Sequence, residues 1–180
     1  MNKSLYIIIS LFFLGCVQVE RKTNSNKNIE NNQVEKIKID SSKITIFPFD
    51  TAYHWIFKDA KLTELTEQDL KTIEKILNDC ITDYNPEQER QYDEINKEHS
   101  EYNLKLEHFV IELDNYNRQY VPVINDKGEK EVWINCFCET WDSDWKNEII
   151  EVDDGGNCFF NLKINLTKEK YYDLMVNGVA

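Results

Sequence analysis

Apolar and polar positions divide the chain into stretches of different period. Residues 5–14 (LYIIISLFFL) are apolar except for Ser10, and residues 17–42 are polar and rich in Asn and Lys. Residues 44–49 (ITIFPF) nearly alternate and predict a short strand that Pro48 ends or leaves at an edge. Beyond residue 66 the period lengthens. Leu70, Ile73, Ile76, Leu77, Cys80, Ile81 and Tyr84 fall on one helical stripe, leaving Glu67, Glu74, Lys75 and Asp79 for solvent. Thr66, three residues before Asp69, reads as an N-cap close to a capping box, with Leu65 set to staple against Leu70. The predicted helix covers 67–82 and stops at Asn85-Pro86. Residues 86–100 are dense in helix formers, but with only Tyr92 and Ile95 as an apolar face a second helix there is weakly docked.

From Leu104 the period becomes two. Leu104 and Leu106, then Phe109, Ile111 and Leu113, predict two short strands bent or bulged at His108. Residues 120–125 and 130–139 flank NDKGE, a hairpin turn in which Gly128 supplies the positive φ. Residues 148–152 (EIIEV) and 158–166 (CFFNLKINL) flank DDGGN and predict a second hairpin, and the tail YYDLMVNGVA adds an edge strand without an assigned partner. Val132, Ile134, Cys136 and Cys138 share one strand face, against Trp133, Asn135, Phe137 and Glu139. In the same way Cys158, Phe160, Leu162 and Ile164 oppose Phe159, Asn161, Lys163 and Asn165. The expectation is one α+β domain over 43–180, an antiparallel sheet of about five strands packed against one amphipathic helix. Such an order resembles cystatin-like or NTF2-like folds, a resemblance that implies architecture and no function.

The apolar run at the start is too short for the bilayer core, which takes about 20 helical residues. With Lys3 ahead of it, the run reads as a signal-peptide core. It closes on Phe13-Leu14-Gly15-Cys16. FLGC resembles a bacterial lipobox, departing from the commonest pattern at Phe13, where Leu is usual, and at Leu14, where Ala or Ser is usual. The resemblance implies removal of residues 1–15, acylation of Cys16 and a flexible tether over 16–42. It also implies a place in the bacterial cell envelope, at the outer membrane, with the membrane as a partner through the lipid anchor. The NCFC and DGGNCFFNLKINL runs resemble small lipoproteins of Bacteroidota, which implies an extracytoplasmic home and no activity.

Charge narrows the function classes. With 21 basic and 33 acidic residues the 180-residue chain carries a formal net charge of -12, which excludes binding to nucleic acid through bulk electrostatics. Hydrophobic residues at 41% and aromatics at 12% exceed what a disordered chain carries.

With Cys16 spent on lipid, Cys80, Cys136, Cys138 and Cys158 remain, in a compartment where disulfides persist. Two bonds joining Cys80 and Cys158 to the 136/138 pair would staple helix to sheet; buried free thiols, or a metal or redox site, are the other readings. The Cys-x-Cys spacing is shorter than that of structural zinc pairs, His54, His99 and His108 are scattered, and there is no Cys-x-x-Cys or Gly-x-Ser-x-Gly motif. No metal, cofactor or catalytic residue is expected on these grounds. Trp133, Phe137 and Phe159 on the face opposite the cysteines, with Trp141 and Trp145 in a loop, form a candidate binding face for an envelope protein, a glycan or a small apolar ligand. The alternative is that these rings pack beneath 86–100 as a second core. The expected function is a non-catalytic binding or structural role at the envelope, the alternatives being an envelope enzyme of the hydrolase kind, whose residues converge only in three dimensions, and an immunity or inhibitor lipoprotein.

Cys16→Ser should abolish incorporation of labelled palmitate and leave unprocessed precursor or released protein. A wild-type band that takes up no label rules the lipobox reading out.

Overall fold

The computed structural model describes residues 39–178; the expected signal peptide, Cys16 and the expected tether up to residue 38 lie outside the described residues. Among the described residues, no helix is long and apolar enough to cross a membrane. The elements are β1 (Ile44–Ile46), β2 (Lys61–Leu62), α1 (Glu67–Glu98), β3 (Asn117–Ile124), β4 (Lys130–Phe137), β5 (Phe159–Asn165) and β6 (Lys170–Val176). The fold is α+β, with one helix and a six-stranded sheet of order β1-β3-β4-β5-β6, in which β2 also pairs with β3. The β3 to β6 run is antiparallel, as the alternating segments predict, but β1 lies parallel to β3 through Ile44↔Arg118 and Ile46↔Tyr120. Parallel pairing is available to β1 because α1 and its flanking turns carry the chain back to the same end of the sheet.

The helix begins where the cap chemistry places it. Asp69 N–H donates to Thr66 Oγ1 at 3.1 Å and Thr66 N–H to Asp69 Oδ2 at 2.7 Å, so Asp69 completes the capping box in place of Glu or Gln. Lys130 Nζ reaches the same carboxylate at 2.6 Å, tying the helix start to the start of β4. The predicted stop fails. α1 runs through Pro86 for 32 residues in all, the loss of one N–H donor being outweighed by contacts made on either side of the proline. Asn85 is bound on both sides of its amide to the Ile111 backbone, at 2.9 Å each way. Past the proline, Arg90 pairs with Glu87 and Glu94, and Tyr92 meets Phe109 edge-on at 5.4 Å.

The strands predicted over 104–113 are absent; 3₁₀ turns at Leu106–His108 and Leu113–Asn115 stand there instead. Side chains take the backbone bonds that a neighbouring strand would have taken. Asn85 holds Ile111, Asn157 Nδ2 donates to the carbonyls of Glu107 and Val110, and Arg118 Nη2 donates to that of Leu113. Gly128 has φ +78° in the β3–β4 turn as expected, and the tail strand β6 pairs with β5. The β5–β6 ladder slips between Asn161 and Lys163, and opposite this slip Asp173 has φ +52°.

Period-two alternation sorts the sheet into two faces. Towards α1 point Tyr120, Val132, Ile134, Cys136, Phe160, Leu162 and Ile164, all closed over by Ile73, Ile76, Leu77, Cys80 and Ile81. One charged pair sits inside this layer. Glu74 was expected in solvent, yet it is 5% exposed, and its Oε1 accepts from Arg118 Nη1 at 2.5 Å and from Tyr120 Oη at 3.2 Å. Arg118 faces the helix from β3, and a guanidinium there needs a carboxylate opposite it, one turn before Leu77. Among the described residues Arg118 Nε finds no hydrogen-bond partner.

Three variants test this layer by urea melts. Glu74→Ala should cost about 3–5 kcal/mol by stranding the Arg118 charge, and Glu74→Leu with Arg118→Met should recover most of it. Leu77→Ala should cost about 2–5 kcal/mol through a cavity. A loss below about 1 kcal/mol at Glu74 would place the pair in solvent.

Candidate binding face

Trp133, Phe137 and Phe159 all lie on the sheet face turned away from α1, as their alternation predicts. They are nonetheless buried, at 5%, 0% and 5% exposure. What covers them is not the 86–100 segment, which belongs to α1. The first cover is the stretch after β1: Phe47, Ile56 and Phe57 pack on Val121, Val123 and Trp133. The second is the chain between β4 and β5. Residues 148–152 were predicted as a strand but form none.

Two amides bind that second segment in place of a strand. From the outer face of β3, Gln119 Nε2 donates to the carbonyls of Trp145 at 2.6 Å and Glu148 at 2.7 Å, while its Oε1 accepts from Ile150 N–H at 2.9 Å. Asn135 Nδ2, opposite it on β4, donates to Gln119 Oε1 at 3.1 Å and to the Ile150 carbonyl at 2.8 Å. Asn177 Nδ2 continues the series to the carbonyls of Val152 and Asp154. The segment is therefore docked through side chains, with Ile149 packed on the outer cluster.

The remaining rings are set on this cover. Trp145 meets Phe137 edge-on at 5.6 Å, and Trp141 stacks on Phe159 at 5.2 Å with 24° between the planes. Trp141 holds φ +44°, in the left-handed region. On Phe159 the Gly155 backbone comes so close that a Cβ there would meet the ring at 2.6 Å. Trp55 stands edge-on to Trp133 at 5.5 Å. Both outer tryptophans stay open to solvent, Trp55 at 51% and Trp141 at 62%. Beside Trp55 lies a cavity of about 190 Å³ whose wall includes Trp133, Asn135, Asn161, Glu151 and Asp153. The sequence reading did not include Trp55 in the face, since DTAYHWIFKDAK fits a strand or a helical turn equally well, and it folds as a 3₁₀ turn at Thr51–Tyr53 followed by loop.

The cysteines divide differently from the double staple. Cys138 and Cys158 form a disulfide across 20 residues, and Cys138 N–H donates to the Cys158 carbonyl at 3.0 Å. Cys80 and Cys136 are free and buried. β4 ends at Phe137, so Cys138 leaves the face that Cys136 keeps, and it meets the residue that enters β5. Burial pushes both free thiols up to about 12, with the Asp83 carboxylate adding to the effect at Cys80. Among the described residues, no group of three or more His, Cys, Asp or Glu side chains is placed to hold a metal ion. A second cavity, about 540 Å³, opens beside the disulfide, with Glu107, His108 and Glu139 in its wall.

Thiol titration checks this arrangement. Of the four cysteines beyond Cys16, none should react in the folded protein near neutral pH. Two should appear on denaturation alone and four after reduction, and reduction should lower stability by about 3 kcal/mol, the loop-closure value for a loop of this length. Four thiols on denaturation without reductant would remove the disulfide.

No protein-family model matches this chain, and neither a curated protein nor a solved structure does.

Proposed function

We propose that the chain is a lipid-anchored protein of the bacterial cell envelope, held at the outer membrane through acylated Cys16, with a non-catalytic role in binding a partner there. The observation that carries the binding role is the pair of outer tryptophans. Trp55 and Trp141 are each more than half exposed, although each is fixed by contact with a buried ring, and a cavity opens beside Trp55. Large rings held rigidly in water lose little conformational freedom on binding, which makes them effective contact residues. The net charge of -12 directs the proposal away from nucleic acid. One long helix followed by antiparallel strands supports a cystatin-like or NTF2-like architecture as part of the same proposal, with no function attached.

A second reading, an immunity or inhibitor lipoprotein, draws on the loop between the disulfide cysteines. Residues 139–154 carry seven carboxylates, from Glu139 to Asp154, against Lys146 alone. A surface of one sign speeds capture of an oppositely charged protein.

Trp55→Ala combined with Trp141→Ala tests the binding role. The double variant should lose the envelope components that the wild-type chain retains from detergent-solubilised envelopes, while unfolding within about 1 kcal/mol of wild type, as exposed substitutions do. Equal retention by both proteins would move the binding role off this face.

A further inference from the structure

We infer that the cavity beside Trp55 takes the side chain of a single arginine or lysine, presented by a basic polypeptide segment of the partner. The inference rests on the reading of this face as a recognition surface and specifies the chemistry it recognises. Size sets the first limit. At about 190 Å³ the cavity is smaller than pockets that enclose drug-sized ligands, and suits one long side chain.

Its wall is rich in acceptors. Asn135 is 8% exposed and spends both donors of its amide on Gln119 and Ile150. Among the described residues no group donates to its Oδ1, which leaves an open acceptor on a residue of the cavity wall. Glu151 and Asp153 stand exposed at the rim and form no ion pair with any described residue. On the donor side, Trp133 Nε1 is already committed to Asn161 Oδ1 at 3.3 Å, which leaves the Asn161 amide N–H₂ and the Trp55 indole N–H against the larger set of acceptors. A polyol ligand needs donors and acceptors in rough balance, whereas an ammonium or guanidinium needs acceptors and π faces.

Rings on this side of the sheet already hold cations. Lys163 Nζ lies 5.4 Å from the Phe57 ring centre and 5.8 Å from that of Tyr172, and Lys146 Nζ lies 5.3 Å from that of Trp145. Trp55, half exposed against Trp133, offers the same chemistry, and no cation of the described residues lies over its ring. The surplus of carboxylates over 139–154 complements the charge of the entering group. The occupant is then one basic residue seated between an indole and two carboxylates, with the peptide that bears it running over the acidic loop.

The test uses the full chain in detergent and three probes: a fluorescein-labelled Gly/Ser peptide carrying arginines, its citrulline counterpart of equal shape and no charge, and a neutral glucose tetrasaccharide. The arginine peptide should bind, less tightly as salt is raised, and about tenfold more tightly than the citrulline peptide. Glu151→Gln with Asp153→Asn should erase that preference, and Trp55→Ala should weaken both peptides. Equal binding of the two peptides, preference for the tetrasaccharide, or no binding of the arginine peptide overturns the assignment of a basic side chain. If envelope retention is still lost in Trp55→Ala, the recognition surface itself survives that result; if retention persists as well, both readings fall.

Discussion

A backbone can be laid across a sheet face only if its N–H and C=O groups find partners there, and in this protein Gln119 and Asn135 supply them. The outer face depends on that constraint. Apolar contact alone brings Ile149 to the cluster around Trp133, but leaves the carbonyls of Trp145, Glu148 and Ile150 dry and unpaired. With the amide pair in place, one segment is tied to β3 and β4 without pairing as a strand. Trp145 is thereby set on Phe137, and the carboxylates of the same segment stay in water. The helix side obeys another rule. There the sheet meets an apolar stripe, and a buried ionic cluster, Glu74 with Arg118 and Tyr120, joins the Lys130–Asp69 pair in fixing how the stripe sits.

What could be read in the sequence follows the range of the interaction concerned. Thr66 and Asp69 are three residues apart, Gly128 acts within its own turn, and the alternation from Val132 to Phe137 is local. Each was legible. The segments misread as strands, 104–113 and 148–152, do alternate, but their partners are side chains distant in sequence: Asn85 for Ile111, 26 residues away, and Gln119 for Ile150, 31 residues away. Periodicity records which side of a segment is apolar, not whether a strand or an amide satisfies its backbone. Glu74 was placed in solvent for the same reason, since its burial is decided by Arg118 on another element. Trp133, Phe137 and Phe159 could be assigned to one face from alternation. Trp55 could not, because it lies in a stretch with no period, and its place is set by the Trp133 ring.

The disulfide bears on this division of labour. It closes the chain between the end of β4 and the entry to β5, so that Trp141, Trp145, Glu151 and Asp153 all belong to one tethered excursion. Gln119 and Asn135 hold that excursion near its middle, and Gly155 approaches Phe159 near its end. The free thiols of Cys80 and Cys136 lie on the opposite side of the sheet, packed as small apolar groups under the helix. Oxidised and reduced sulfur thus stand apart, the disulfide at the strand ends beside Glu107 and Tyr116 and the thiols beneath the helix.

The slip in the β5–β6 ladder, with Asp173 turned to positive φ, has a consequence for crowding. β6 is the outermost strand, and an unbroken outer strand is a template on which another chain can continue the sheet. Here the hydrogen-bonding groups fall out of step partway along, and a carboxylate stands at the break, held 3.3 Å from Lys163. The opposite margin is divided between three-residue β1 and two-residue β2, neither long enough to guide a neighbour. Copies packed side by side at high surface density would therefore meet sheet margins poorly suited to continuing the sheet from one molecule into the next.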